Sequence, residues 1–279
     1  MKVPSNRGAF WIRDAYLRFK SSMGMWFAIS AFLMVILSIP YIGQLAAIAM
    51  PILVGGLMLG CSQSNSQAAI KFDHLFEGLK ADSRELLTLS AVYAGLSILI
   101  TLATYYFMLT MGVDLKELMS SLMPTHQTAM TEQQAIEWLN GLINDGVFIN
   151  ILLAILVWLA LMIPLFMAFW FAPALVVLQK IRSISALKIS YSACKDNFIP
   201  FLIYGLVALA YIFAFFMASI ILIAMIPPIG LIAFIAGYLA IFAITLISIY
   251  SSYRDIFGEK EMEDSTEDDS EQSDSSMIA

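Results

Sequence analysis

Two histidines, two cysteines and a few carboxylates are the side chains in this chain whose chemistry suits metal ligation, nucleophilic attack or proton transfer. His74 sits in Phe72-Asp73-His74-Leu75-Phe76-Glu77, where Asp73 and Glu77 would complete an acid–base or metal site. The charged face of a short amphipathic helix accounts for the same three residues without a ligand. His126 is separated from His74 by a long apolar segment, and neither has a second ligand at the spacing a zinc site uses. Cys61 and Cys194 stand at no metal-ligand spacing either. Neither a GxGxxG nor a Walker sequence occurs, there is no nucleophile motif, and no run of interleaved basic and aromatic residues points to nucleic acid. The reactive residues therefore predict no enzyme, no cofactor, no metal centre and no nucleic-acid partner.

The elements around these residues explain why chemistry is sparse. Sixty per cent of the 279 residues are hydrophobic and 13% are charged, against about 25% charged in a soluble domain. Mean hydropathy is +0.83. Placement matters more than composition. Residues 21–70, 86–113, 146–179 and 197–253 contain no Asp, Glu, Lys or Arg. Each window holds one or two segments of roughly 20 apolar residues, the length a bilayer core demands. The predicted fold class is an all-α polytopic transmembrane helical bundle of about six spans, at 23–39, 44–61, 86–109, 147–172, 198–225 and 229–250. No small-x-small cleavage site closes the first apolar run, so it reads as a retained span rather than a signal peptide.

Lys and Arg set the orientation. The N-terminal segment holds Lys2, Arg7, Arg13, Arg18 and Lys20, and residues 62–85 hold Lys71, Lys80 and Arg84. Residues 179–197 hold Lys180, Arg182, Lys188 and Lys195, and the C-terminal segment holds Arg254 and Lys260. Six spans place these four segments on one side and leave Lys116 on the other. The positive-inside rule then predicts N-in and C-in. Cys61 and Cys194 fall at cytoplasmic span ends, where thiols stay reduced.

Turns and short helices complete the plan. The first two spans are joined at Pro40-Tyr41-Ile42-Gly43 and the last two at Pro227-Pro228-Ile229-Gly230. Proline supplies a fixed φ and glycine a permissive one, so each chain reversal is short. Pro164 and Pro173 predict a kink or change of direction in the fourth apolar stretch, which continues to Leu178. Residues 1–22 carry Ile12, Ala15, Tyr16 and Phe19 at helical spacing beside Trp11, which suits a helix in the headgroup layer. Phe72, Phe76 and Leu79 mark a second amphipathic segment, and Ile184, Leu187 and Tyr191 a third. The membrane domain, 23–254, includes an external cap at 112–145. There Asp114 with Glu117 and Thr131 with Gln134 form capping boxes around the stripe Leu115, Leu118, Met119, Leu122 and Met123.

Small residues mark close helix packing. Gly56 and Gly60 form one small-xxx-small pair and Ala233 and Gly237 another, each on the second span of an Ile-Pro-x-Ile-Gly hairpin. An amphipathic helix, a span, that turn and a second span occur at 9–61 and again at 183–250, the order of a parallel repeat. Residues 255–279 form an acidic cytoplasmic tail. From Glu259 onward it has nine acidic residues and one Lys, and its composition predicts disorder.

Several strings resemble a known family. They are Phe72-Asp73-His74-Leu75-Phe76-Glu77-Gly78-Leu79, Phe171-Ala172-Pro173-Ala174-Leu175-Val176, Ala186-Leu187-Lys188-Ile189-Ser190, and Cys194-Lys195-Asp196-Asn197-Phe198-Ile199-Pro200-Phe201. Over about residues 8–255 the chain is similar to an uncharacterised family of bacterial inner-membrane proteins, described as hypothetical transmembrane proteins. The Ala-Leu-Lys-x-Ser helix also resembles membrane regions attached to glycerophosphodiesterases. The resemblance implies a bacterial inner membrane and six spans, and it carries no activity and no functional residue to transfer.

Two functions remain in competition. Spans free of ionisable residues, the interfacial helices and the acidic tail favour a partner-binding or envelope-organising protein, with the bilayer and a protein as partners. The repeat and the prolines at 51, 164 and 173 favour a carrier for a lipid or other amphiphilic molecule. Intramembrane enzymes and proton relays keep ionisable side chains inside their spans, which this chain does not.

Overall fold

A backbone inside lipid has no water to bond with, so its polar groups must bond along the segment itself, and helices do this locally. The computed structural model describes residues 2–64, 70–80, 83–113, 131–144 and 146–258, and all regular structure among them is helical. The helices are α1 (Arg7–Ser21), α2 (Met23–Ser38), α3 (Ile42–Ile48), α4 (Met50–Ser64), α5 (His74–Glu77) and α6 (Ser83–Thr110). They continue with α7 (Glu132–Asn144), α8 (Val147–Phe169), α9 (Ala172–Gln179), α10 (Ser183–Asp196), α11 (Phe198–Met225) and α12 (Pro227–Phe257).

Four stretches are long and apolar enough to cross a membrane: α6, the run Val147–Gln179, α11 and α12. Two bent pairs raise the number to six if each counts as one span: α1 with α2 at 103°, and α3 with α4 at 59°. The architecture is thus an all-α bundle of membrane-spanning type. The segment expected as one rod at 44–61 is broken at Ala49. Pro51 has no N–H for the Ala47 carbonyl, which removes one rung of the helix there.

The chain divides into two compact units, Met1–Ala91 with Met167–Ala279, and Val92–Phe166. In the second unit, the Asn150 side-chain amide donates to the Met111 carbonyl at 2.9 Å and closes the end of α6. Helix α7 begins directly after Thr131. The Asp114 capping box, the stripe from Leu115 to Met123, Lys116, His126 and the acidic tail from Glu259 lie outside the described residues.

The first unit is built around α9. Ala172, Ala174, Leu175, Val176 and Val177 are buried completely or nearly so, and α9 lies against α4. Near Pro173 the helix is interrupted at Trp170 and Phe171, between α8 and α9, though Val147–Gln179 still forms one candidate span. Phe171 is the N-cap of α9, and Pro173 occupies its first turn, where a missing N–H costs nothing.

The hairpins reverse differently from expectation. Gly43 and Gly230 do not supply a positive φ; Tyr41 does, at φ 64° and ψ −47°. The Ile42 N–H donates to the Pro40 carbonyl at 2.8 Å across Tyr41, a γ-turn of the strained positive-φ form. Both glycines instead permit close approach. A Cβ on Gly43 would collide with the Leu37 carbonyl, and one on Gly230 would lie 2.5 Å from Ile223 Cα.

The order short helix, apolar helix, proline-containing hairpin, apolar segment occurs at α1–α2–α3/α4 and at α10–α11–α12. A single residue joins the first two helices each time, Ser22 and Asn197. Helix α12 has 31 residues, about 46 Å at 1.5 Å per residue, well beyond a hydrocarbon core of about 30 Å. Its last turns receive α1.

Candidate functional site: a basic groove beside the N-terminal helix

Helix α1 buries Gly8, Trp11, Ala15 and Phe19, one stripe at three- and four-residue spacing. Of the face expected to meet the headgroup layer, Ala15 and Phe19 are buried with Trp11 against α11 and α12, while Ile12 is half-buried and Tyr16 exposed. A Cβ on Gly8 would overlap the Pro200 carbonyl, so glycine lets α1 touch the α11 backbone. Trp11 stacks at a tilt on Phe201, 5.0 Å between ring centroids, while its indole N–H donates to Asp255 at 2.8 Å. Arg7 donates to both carboxylate oxygens of the same Asp255, a bidentate ion pair. One turn on, Asp14 accepts from Arg18 and from the Ser251 hydroxyl, each at 2.8 Å. Burial alone would raise the Asp14 carboxyl, but the bonds from Arg18 and Ser251 and the charges of Arg18 and Arg254 hold it below its ordinary value. The Arg18 guanidinium also lies 5.2 Å over the Tyr250 ring.

Beside this seam runs an open groove of about 620 Å³. Arg7, Arg13 and Arg254 line it with the carboxylates Asp14 and Asp255 and the apolar Phe10 and Leu17. Its chemistry is that of a binding surface for an anion with an apolar part, since guanidinium forks and exposed apolar side chains share one wall.

The residues singled out in sequence lie elsewhere. A Cβ on Gly60 would lie 2.6 Å from His74 Nδ1, and one on Gly56 would overlap the His74 carbonyl. This pair thus seats α5 on α4. Gly237 faces the Phe215 ring, so that small residue fits α12 to α11; Ala233, one turn earlier, is half-buried. Pro40 and Pro227 stand in the two hairpins. His74 is buried, its Nδ1 accepts the Lys71 N–H at 3.1 Å, and Glu77 lies 3.9 Å from its Nε2. Among the described residues no three of His, Cys, Asp and Glu gather as a metal site. Cys61 and Cys194 are both buried free thiols.

The two other amphipathic segments turn mixed faces toward the protein. In α10 the buried side is Ser183, Ala186, Ser190, Ala193 and Cys194, and of the aligned apolar residues Ile184 and Tyr191 are exposed while Leu187 packs half-buried against the core. In the Phe72–Leu79 segment, His74, Leu75 and Gly78 face inward, while Phe72 and Phe76 ring Phe32 at 5.1 and 6.0 Å.

Three polar ties were not foreseen. The Glu85 carboxylate accepts the Ser183 N–H at 2.7 Å and also its hydroxyl, capping α10 where the helix dipole favours negative charge. Asn197, 1% exposed, accepts the Val3 N–H at 2.8 Å and donates to Ala193. Asp255 is the third. Each is a polar residue at the edge of a long charge-free window, which was the available signal.

No protein-family model matches this chain, nor does any curated protein or solved structure. What the chain does must therefore be argued from its own residues.

Proposed function

We propose that this chain is a non-catalytic, multi-pass protein of the bacterial inner membrane that binds partners at the membrane boundary or organises the envelope. The groove beside α1 carries the reading. There the carboxylates Asp14 and Asp255 tie helices together, while guanidinium groups remain accessible at the wall. The absence of Asp, Glu, Lys and Arg from the charge-free windows supports a role without intramembrane proton or ion chemistry. Cytoplasmic placement of both termini follows from the distribution of Lys and Arg.

The test is native mass spectrometry of the protein taken directly from membranes into lipid nanodiscs. A stoichiometric protein companion, lost when α1 is loosened by Asp255→Ala, supports the reading. Recovery of the bare chain alone from every growth condition defeats it.

A carrier for a lipid or other amphiphile is the second reading. A shallow groove of about 480 Å³ between α2 and α12, lined by Phe27, Ile232, Ile235, Ala236 and Leu239, favours it, because its walls offer only apolar contact. Transfer of a fluorescent lipid between vesicle leaflets by the purified protein would make it the better account.

A further inference from the structure

The groove beside α1 has more basic charge than its own carboxylates use. Asp255 is matched by Arg7 and by the Trp11 indole, and Asp14 by Arg18 and Ser251. Arg254 reaches Asp14 only at 4.0 Å and is half-exposed. Arg13 is exposed and has no ion-pair partner among the described residues. The charge least committed within the groove is therefore Arg13, from α1, and Arg254, from α12, the latter held only at 4.0 Å by Asp14.

The same groove is partly apolar. Phe10 and Leu17 line it and are 42% and 54% exposed. Seven residues apart, they occupy one side of α1. The Arg7 guanidinium lies 5.3 Å over the Phe10 ring, and an amphiphile in the groove would meet cationic and apolar groups together.

Depth narrows the ligand further. The charge-free window of α12 ends at Tyr253, and the groove is lined by Ser251, Arg254, Asp255 and Gly258. With α12 crossing the bilayer, these are the turns that emerge from the hydrocarbon, which is headgroup depth. Basic pockets at that level attract anionic headgroups. Guanidinium groups bind phosphate oxygens through paired N–H donors, with more geometric selectivity than an ammonium.

We propose that this groove is a binding site for an anionic phospholipid, its phosphate held between Arg13 and Arg254 and its ester-proximal carbons against Phe10 and Leu17. The assignment goes beyond partner binding as such and stands whether or not a protein companion exists.

The test uses the purified full chain in nanodiscs of phosphatidylcholine with a minority of phosphatidylglycerol, read by native mass spectrometry. The wild type should retain phosphatidylglycerol above its bulk fraction. Arg13→Gln with Arg254→Gln should lower that enrichment by up to about 30-fold, the scale of two surface cation contacts. Arg13→Gln alone, which breaks no ion pair in the structure, should lower it partway. Lys188→Gln with Lys195→Gln, which removes equal charge from exposed positions on α10, should leave it unchanged. Equal losses in the arginine and lysine variants would overturn the site in favour of diffuse charge attraction. Enrichment that emerges only after residues 259–279 are removed would overturn it in favour of the acidic tail as occupant. A wild type with no enrichment would overturn it outright.

Discussion

The hydroxyl of Ser190 stands inside the backbone hydrogen bond that Phe171 would otherwise make. The Phe171 N–H donates to Ser190 Oγ at 3.0 Å, and the Ser190 O–H donates to the Met167 carbonyl at 2.8 Å. Phe171 to Met167 is the i to i−4 pair of an unbroken helix. A side chain from α10 therefore occupies the gap between α8 and α9, an insertion into the i to i−4 ladder that interrupts the helix. Both residues are fully buried, so neither group has water to fall back on.

Ser190→Ala should leave the Phe171 N–H buried and unpaired. The expected loss is about 1–3 kcal/mol, which lowers the melting temperature by several degrees in a domain of this size. Thermal unfolding in nanodiscs measures it. A variant as stable as wild type would show that Phe171 re-forms the direct bond to Met167 and that the serine only fills space.

The glycine pair on α4 should be intolerant in a graded way. At Gly56 an added Cβ meets the backbone of His74 and Gly78, which cannot swing aside, and at Gly60 it meets the root of the His74 side chain. Gly56→Ala is therefore expected to cost more than Gly60→Ala, each within or above the roughly 1–3 kcal/mol of an overpacked core. Gly205 on α11 has nothing near its Cβ position, and Gly205→Ala should be neutral or stabilising by up to about 1 kcal/mol. Equal stabilities for the three variants would contradict this account of α4.

Asp255→Ala removes the acceptor shared by Arg7 and the Trp11 indole. The expected result is faster hydrogen exchange through α1 with little change in α9, where no bond to Asp255 exists. Asp14 adds a pH dependence. Its carboxyl is held below the ordinary value, so its contribution is full above about pH 4 and fades as pH falls through the lowered folded value. Asp14→Asn should flatten that acid limb of stability; an unchanged limb would assign it to other carboxylates.

The two native thiols should be silent to maleimide in the folded protein. Cys194 is 3% exposed, and burial pushes its thiol up to about 12. Cys61 is equally buried. Against that quiet background, an impermeant maleimide should label Asn140→Cys on sealed cells and spare Lys188→Cys. Labelling of Lys188→Cys from outside would reverse the orientation drawn from Lys and Arg.

The all-helical, membrane-spanning architecture was legible in the sequence because it depends on properties of single segments. A charge-free window either is or is not long enough for a bilayer, and the helices α6, α8, α11 and α12 fall on the windows that are. The places where the chain reverses, Pro40 to Gly43 and Pro227 to Gly230, were visible for the same reason, since proline limits its own neighbours.

Which residue bears a strained φ, which face of α10 turns inward and what covers Trp11 were decided only by the tertiary structure. At the membrane boundary apolarity does not distinguish the protein-facing side of an amphipathic helix from the side that meets lipid, so of the aligned residues of α10 Ile184 and Tyr191 are exposed and Leu187 half-buried, while Ala186 and Ser190 form the contact. The groove has the same origin. Its walls, Arg13 and Arg254, are separated by most of the chain and come together because Asp255, Ser251 and Phe201 hold α1 in place. Local sequence carries no trace of such a meeting, because the energy that fixes it belongs to contacts between segments rather than to either segment alone.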